Sequence, residues 1–120
     1  METVIQAGDS GGQSETDGVS ALDLRTAMGT FLTGVTIVTA RCDDGQPYGL
    51  TVNSFNSVSL DPPLVLWSLD NHHDKGDLFR NAGGFAVNIM PAGSDELIRK
   101  FAVNTADRFD ETTWHWGASG

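Results

Sequence analysis

Cysteine is nearly absent from this chain: Cys42 is the only one. A single thiol cannot close an internal disulfide or supply a CxxC metal site, so disulfide scaffolds and cysteine-ligated zinc folds are excluded. Cys42 stands at the end of a predicted strand and reads as a small packing or surface residue, the alternative being a reactive thiol. The same scarcity points to a reducing, cytoplasmic location. Basic residues are also few, seven Lys and Arg against sixteen Asp and Glu, for a net charge of −9. Such a balance argues against general nucleic-acid binding, which needs clustered cations for phosphates. No run of about 18 apolar residues exists, which excludes a membrane-spanning helix. The N-terminus has neither a basic n-region nor an apolar h-region, so it is not a secretory signal. The sequence contains no GxGxxG, no GxxxxGK[ST] and no GxSxG, and so no Rossmann, P-loop or nucleophile-elbow signature. Its three histidines, His72, His73 and His115, lack the spacing of a zinc site.

What remains suits one globular domain: 120 residues, 39% of them hydrophobic. Residues 1–19 are rich in Gly, Ser and acid and read as a disordered leader. Glu2, Asp9, Glu15 and Asp17 fall in it with no Lys or Arg. The ordered domain is expected over residues 20–120. Ser20 is a good N-cap for a helix over residues 21–32. There Leu24, Ala27, Met28, Phe31 and Leu32 form one apolar stripe, and Gly34 ends the helix. The run VTIVTARC, residues 35–42, is a strand by its Val, Ile and Thr content. Asp43, Asp44 and Gly45 signal a turn into a second strand over residues 48–55, making a β-hairpin. Residues 57–63 read as a loop fixed by Pro62 and Pro63. Residues 64–69 read as a third strand, apolar enough to be buried on both faces. A polar loop leads to a short helix ending at Ala82, then Gly83 and Gly84, then a fourth strand over residues 85–90. Ser94 caps a second full helix, with Asp95 and Glu96 in its first turn and Arg99 and Lys100 in its last, an order that suits the helix dipole. The tail has little periodicity but carries Phe109, Trp114 and Trp116. Four strands leave open sheet edges rather than a closed barrel. The sequence stops without a closing element, so further chain is expected beyond Gly120.

The segment GLTVNSFNSVSLDPPL, residues 49–64, is the most informative. Thr51, Asn53, Ser54, Asn56, Ser57 and Ser59 load one strand and its extension with hydroxyls and amides. Buried polar groups are costly without partners. The segment is therefore either an exposed edge with a polar face or a strand that hydrogen-bonds a flat polar ligand. The His72–His73 pair reads as a solvated loop tip, with contact to a bound anion as the alternative.

Four runs in order, TGVTIVTA (33–40), GLTVNSFNSVSLDPPLVLWSL (49–69), FAVNIM (85–90) and FAVNTADRFDETTW (101–114), resemble the flavin reductase family. The resemblance covers about residue 22 to the end. It implies a mainly β fold with short helices, the FMN-binding split barrel, incomplete in this chain. It also implies a flavin site. Thr33, Gly34, Val35 and Thr36 match a segment beside the flavin. Thr51, Val52, Asn53, Ser54, Phe55 and Ser57 match contacts to the isoalloxazine ring and the chain leading to its phosphate. Ser68 and Leu69 match positions close to the cofactor. The loop at residues 70–76 would meet the phosphate end through His73 and Lys75. Many relatives carry serines there, so this loop departs from the family pattern. Lys75, the only Lys or Arg in the loop, stands at a predicted helix start, which favours an anion, while Asp74 and Asp77 oppose it. A solvent-exposed lysine is the alternative.

The resemblance implies an NAD(P)H-dependent reductase of FMN or FAD, acting as the small component of a two-component monooxygenase and commonly a homodimer. Hydride passes from C4 of the nicotinamide to N5 of the flavin, so no acid–base or nucleophilic side chain is required. No metal is implied. Family members continue into further strands and a Gly-Asp-His motif associated with nicotinamide binding, which this sequence lacks. Two other readings stand beside the reductase: a flavin-binding protein without turnover, and a non-functional fragment.

Overall fold

The computed structural model describes residues 18–30, 33–73, 75–103 and 108–118. The chain divides into two compact units, residues 1–33 and 34–120. In the first, α1 (Ala21–Gly29) begins as its sequence predicts. The Ser20 hydroxyl accepts the Asp23 N–H at 3.0 Å and donates to the Asp23 carboxylate at 2.7 Å, filling an otherwise orphaned helix donor. The helix stops earlier than expected. Thr30 is the C-cap; its N–H returns to the carbonyls of Ala27 and Met28, and its hydroxyl donates to Ala27 O at 2.6 Å. Gly29 and Thr30 are both weak helix formers, and the capping bonds terminate the turn there rather than at Gly34. Phe31 and Leu32, assigned to the end of the apolar stripe, and residues 1–17, assigned to the leader, lie outside the described residues.

The second unit holds five described strands and two helices: β1 (Thr36–Arg41), β2 (Pro47–Val52), β3 (Asn56–Leu60), β4 (Pro63–Leu66), α2 (Gly76–Asn81), β5 (Ala86–Ile89) and α3 (Asp95–Ala102). β1 is the centre of a three-stranded antiparallel sheet ordered β2-β1-β5, and β3 and β4 form a separate antiparallel pair. The described strands do not close into a barrel. The first hairpin turns where predicted, at Gly45, whose φ of +81° needs no Cβ, but its second strand ends at Val52 rather than at residue 55. The reading of residues 57–63 as a loop is corrected. Residues 56–60 form β3, which folds back on β4 through a turn at Asp61 and Pro62, with an irregularity between Ser57 and Ser59. Serine weakens the strand signal, but antiparallel partners supply the missing backbone bonds. Residues 64–69 are not buried on both faces either: β4 alternates between exposed and half-buried positions.

Burial concentrates on β1, where Thr36, Ile37, Val38 and Ala40 are all buried. Strand side chains alternate between faces, so consecutive buried residues mean that both faces are covered. α3 covers one of them. Its Phe101, 3% exposed, lies over the bare Cα of Gly49. A Cβ on Gly49 would come within 2.9 Å of Phe101 Cε1 and 3.1 Å of Thr39 Cγ2. The Thr51 hydroxyl, on the same strand, donates to the Ile98 carbonyl at 2.7 Å and ties the helix to β2. Ser94 occupies the α3 N-cap but makes no side-chain capping bond.

The aperiodic tail is held by specific bonds. Arg108, 4% exposed, donates from Nε to Val103 O at 2.9 Å and from one terminal nitrogen to Gly49 O at 2.6 Å and the Tyr48 hydroxyl at 3.1 Å. It therefore satisfies a carbonyl on β2, an edge strand of the sheet. The Lys100 ammonium donates to the Asp110 carbonyl and, at 3.0 Å, to the Thr112 hydroxyl.

The closeness of Gly49 to Phe101 yields a prediction. Gly49→Ala will destabilise the fold by about 1–3 kcal/mol through overpacking, seen as a lower urea midpoint at unchanged slope. Pairing it with Phe101→Leu will recover part of that loss, because the two side chains share the space.

Candidate functional site

The polar segment after β2 is where the sequence placed a ligand, and its groups do two different jobs. Thr36 and Thr51 face inward. The Thr36 hydroxyl is 2% exposed and donates to Val52 O at 3.0 Å, and that of Thr51 is spent on Ile98 O. Val52 is also buried. At these three positions the side chain is committed to the fold, leaving the backbone as the element a ligand would meet. Past Val52 the chain turns outward: Asn53, Ser54, Asn56 and Ser57 are exposed and Phe55 is half-buried.

Ser54 fastens this segment to the one that follows β4. Its Oγ accepts the Ser68 N–H at 2.9 Å and lies 3.4 Å from Ser68 O. Two predicted site segments, residues 53–57 and 68–69, are thus brought together. Trp67, beside Ser68, packs edge-on against Phe79 of α2 at 5.2 Å between centroids and against Phe85 at 5.6 Å. Phe79 also meets Tyr48 of β2 at 5.5 Å. These rings fix the level at which residues 67–69 leave the hairpin. Sequence reasoning passed over Trp67, although a large aromatic next to the polar Ser68 is a usable signal for an anchor.

Gly34 is exposed and Val35 half-buried at the entry to β1. The Val35 carbonyl accepts the Met90 N–H at 3.1 Å, and Thr36 pairs in register with Val52. Residues 34–36 and 51–52 therefore form a second group of adjacent site positions. Thr33 is exposed and belongs to the first compact unit.

The loop after Leu69 is ordered by its own polar groups. Asp70 accepts the His72 N–H on its carboxylate at 2.8 Å and the His73 N–H on its carbonyl at 3.0 Å. His73 Nδ1 accepts the Lys75 N–H at 3.1 Å, which makes Nδ1 the unprotonated nitrogen. The Lys75 side chain is exposed. Asp74 lies outside the described residues. Arg80, unassigned from sequence, donates to Asp77 at 2.9 Å and to Asn71 Oδ1 at 2.8 Å. It offsets the charge of Asp77 and adds a second cation to the loop and helix that carry Lys75; the Asp77/Arg80 spacing of three was its sequence signal. Among the described residues, no group of His, Cys, Asp or Glu is arranged to hold a metal ion.

The donor set fits a flavin. Amides and hydroxyls donate and accept equally well, as the mixed carbonyl and N–H edge of an isoalloxazine ring requires. With Arg80 engaged by Asp77 and Asn71, the exposed Lys75 is the cation on this loop that a phosphate tail would meet.

Comparison with known proteins gives the family. Residues 28–120 match the flavin reductase like domain, and the chain belongs to that family. It is 44% identical over 103 residues to an FMN reductase (NADH) of Agrobacterium fabrum, covering 86% of this chain and 58% of that one. It is 44% identical over 102 residues to the reductase component of the flavin-dependent trigonelline monooxygenase of Acinetobacter baylyi, covering 84% and 33% respectively. Among solved structures, the NADH:FAD oxidoreductase of Streptomyces globisporus C-1027, in complex with NAD and FAD fragments, superposes with a TM-score of 0.75 at 39% identity, over 82% of this chain and 58% of that one. The fold is therefore that of the flavin reductase family, mainly β with short helices, with no closed barrel among the described strands. The chain spans between about a third and three-fifths of the length of these relatives.

Two outcomes follow from this geometry. Ser54→Ala will speed hydrogen exchange at the Ser68 amide by about tenfold, the equivalent of one net hydrogen bond, as read by NMR. Cys42 is half-buried, and burial first, then Asp44 and Asp43, raise its thiol pKa above the ordinary value, with Lys75 acting in the opposite direction. Alkylation of Cys42 by iodoacetamide will accordingly be slower at pH 8 than that of a free cysteine peptide. It will go on rising with pH after the peptide has levelled off, because only the thiolate reacts.

Proposed function

We propose that this chain carries the flavin-binding part of an NAD(P)H-dependent flavin reductase. In this reading Gly34, Val35 and Thr36 approach the flavin through their backbone. Asn53, Ser54, Phe55 and Ser57 line the ring and its side chain, with Thr51 and Val52 behind them. Ser68 and Leu69 complete the wall, and His73 and Lys75 reach the phosphate end. The observation that carries it is the Ser54–Ser68 bond, which joins two separate exposed polar segments into one surface. Membership of the family supports it.

When bound, the flavin would supply the electron-accepting ring and the nicotinamide the hydride. The chain's own residues orient, and exposed hydroxyls and amides satisfy the polar edge of a planar ligand that apolar neighbours keep in place. No residue is asked to transfer a proton. Three relatives are named for NADH and one for NADPH. Either FMN or FAD suits the groups described.

The proposed context is a cytoplasmic reductase handing reduced flavin to a partner monooxygenase, since one relative is named as the reductase component of a flavin-dependent monooxygenase and another as the reductase subunit of an N-demethylase. A homodimer is proposed as well. Leu60 is 93% exposed, Ile89 74% and Val58 55%, and strand residues of this kind favour burial against another surface.

The test is flavin-dependent NADH oxidation by the purified chain, followed at about 340 nm, the nicotinamide absorption band. Oxidation with added FMN or FAD is the expected outcome. Quenched flavin fluorescence without oxidation would favour a flavin-binding protein lacking turnover. A folded chain giving neither signal would overturn the flavin reading.

A further inference from the structure

On the α3-covered side of the sheet, a cavity of about 150 Å³ opens between β1, β5, α3 and the tail. None of the proposed flavin residues lines it. It is too small for a flavin or a dinucleotide, whose pockets run to several hundred Å³. Its volume is close to that of an apolar cavity able to take up a benzene ring, about 150 Å³.

Two observations narrow its occupant. First, one wall is a ladder of edge-to-face rings. Phe101 meets Phe109 at 5.1 Å, Phe109 meets Trp114 at 5.4 Å, and Trp114 meets Trp116 at 4.9 Å. Trp114 and Trp116 remain 40% and 39% exposed, and exposed clustered aromatics of this kind mark ligand grooves. The Arg41 guanidinium lies over the Trp116 ring, 4.3 Å from its centroid, so a further aromatic ring meets the ladder at Phe109, Trp114 and the edge of Trp116. Second, Thr39 and Asn88 stand side by side in the facing wall. The Asn88 amide nitrogen donates to Ile37 O at 2.9 Å and to the Thr39 hydroxyl at 3.3 Å. Among the described residues this leaves the Thr39 hydroxyl proton as a donor and Asn88 Oδ1 as an acceptor. A ligand hydroxyl, which both accepts and donates, matches that pair.

We propose that this cavity is a binding site for a monocyclic aromatic molecule bearing one hydroxyl group, a phenol. The ring lies against Phe109, Trp114 and Trp116. The hydroxyl accepts from Thr39 and donates to Asn88. The site stands independently of the flavin reading, since it shares no residue with it.

The chain's three tryptophans, Trp67, Trp114 and Trp116, provide the measurement. Phenol is titrated into the full 120-residue chain and the three indole N–H signals are followed by NMR. Saturable shifts of Trp114 and Trp116, with Trp67 unmoved, are expected. Thr39→Val keeps the side-chain shape and the strand but removes the donor. It is expected to weaken phenol binding about fivefold to tenfold, the value of one neutral hydrogen bond, and to leave benzene binding unchanged. The absence of saturation, movement of all three indoles together, or equal phenol affinity in wild type and Thr39→Val would each overturn the proposal.

Discussion

The rest of the second unit depends on how closely α3 approaches the sheet, and that distance is set where Phe101 lies on the bare backbone of Gly49. Only a residue without a Cβ leaves room for the ring there. With the ring seated, Ile98 comes within reach of the Thr51 hydroxyl, and the start of the tail reaches the Gly49 carbonyl through Arg108. The same ring begins the aromatic ladder that orders residues 109–116. A single steric constraint on one face of β2 thus fixes a helix, an edge strand and an irregular segment.

The hydroxyl-rich character of residues 49–64 has two physical origins. Inside the sheet, hydroxyls are used up on backbone carbonyls, as at Thr36 and Thr51, where they bind strand to strand and strand to helix. Beyond Val52 they face outward and are kept in place by a few contacts, chiefly the Ser54–Ser68 bond and the rings of Trp67, Phe79 and Phe85. A polar group without an internal partner is costly in a core but useful at a surface that meets a polar ligand. The two groups of residues sit in one continuous stretch of chain, so the fold and the proposed cofactor surface are built together.

Much of the fold was legible because its signals are local. The Asp43–Gly45 turn between two β-branched runs announces the first hairpin, Ser20 announces the start of α1, and the charge order of residues 95–100 announces α3. The misreadings share one cause, which is that long-range pairing outweighed local preference. Residues 56–60 look like a loop by their serines, yet β4 provides the hydrogen-bond partners that make them a strand. Residues 64–66 look buried by composition, yet only the position of β4 in a separate two-stranded pair decides how far each face is covered. The importance of Trp67 and Arg80 came from partners distant in sequence, Phe79 and Asn71.

The sequence by itself determined the class of fold, the hairpin, the helices and the stretch in which polar side chains gather, because these rest on periodicity, turn chemistry and composition over a few residues. It also determined the family, through four short runs whose order is written in the chain. Tertiary structure alone decided which hydroxyls are spent inside and which face outward, that residues 54 and 68 meet, and that the tail closes over Thr39 and Asn88. Those outcomes depend on the distance between a helix and a sheet and on contacts across up to 60 residues of chain, such as Arg108 with Tyr48. No local pattern encodes a separation of that kind.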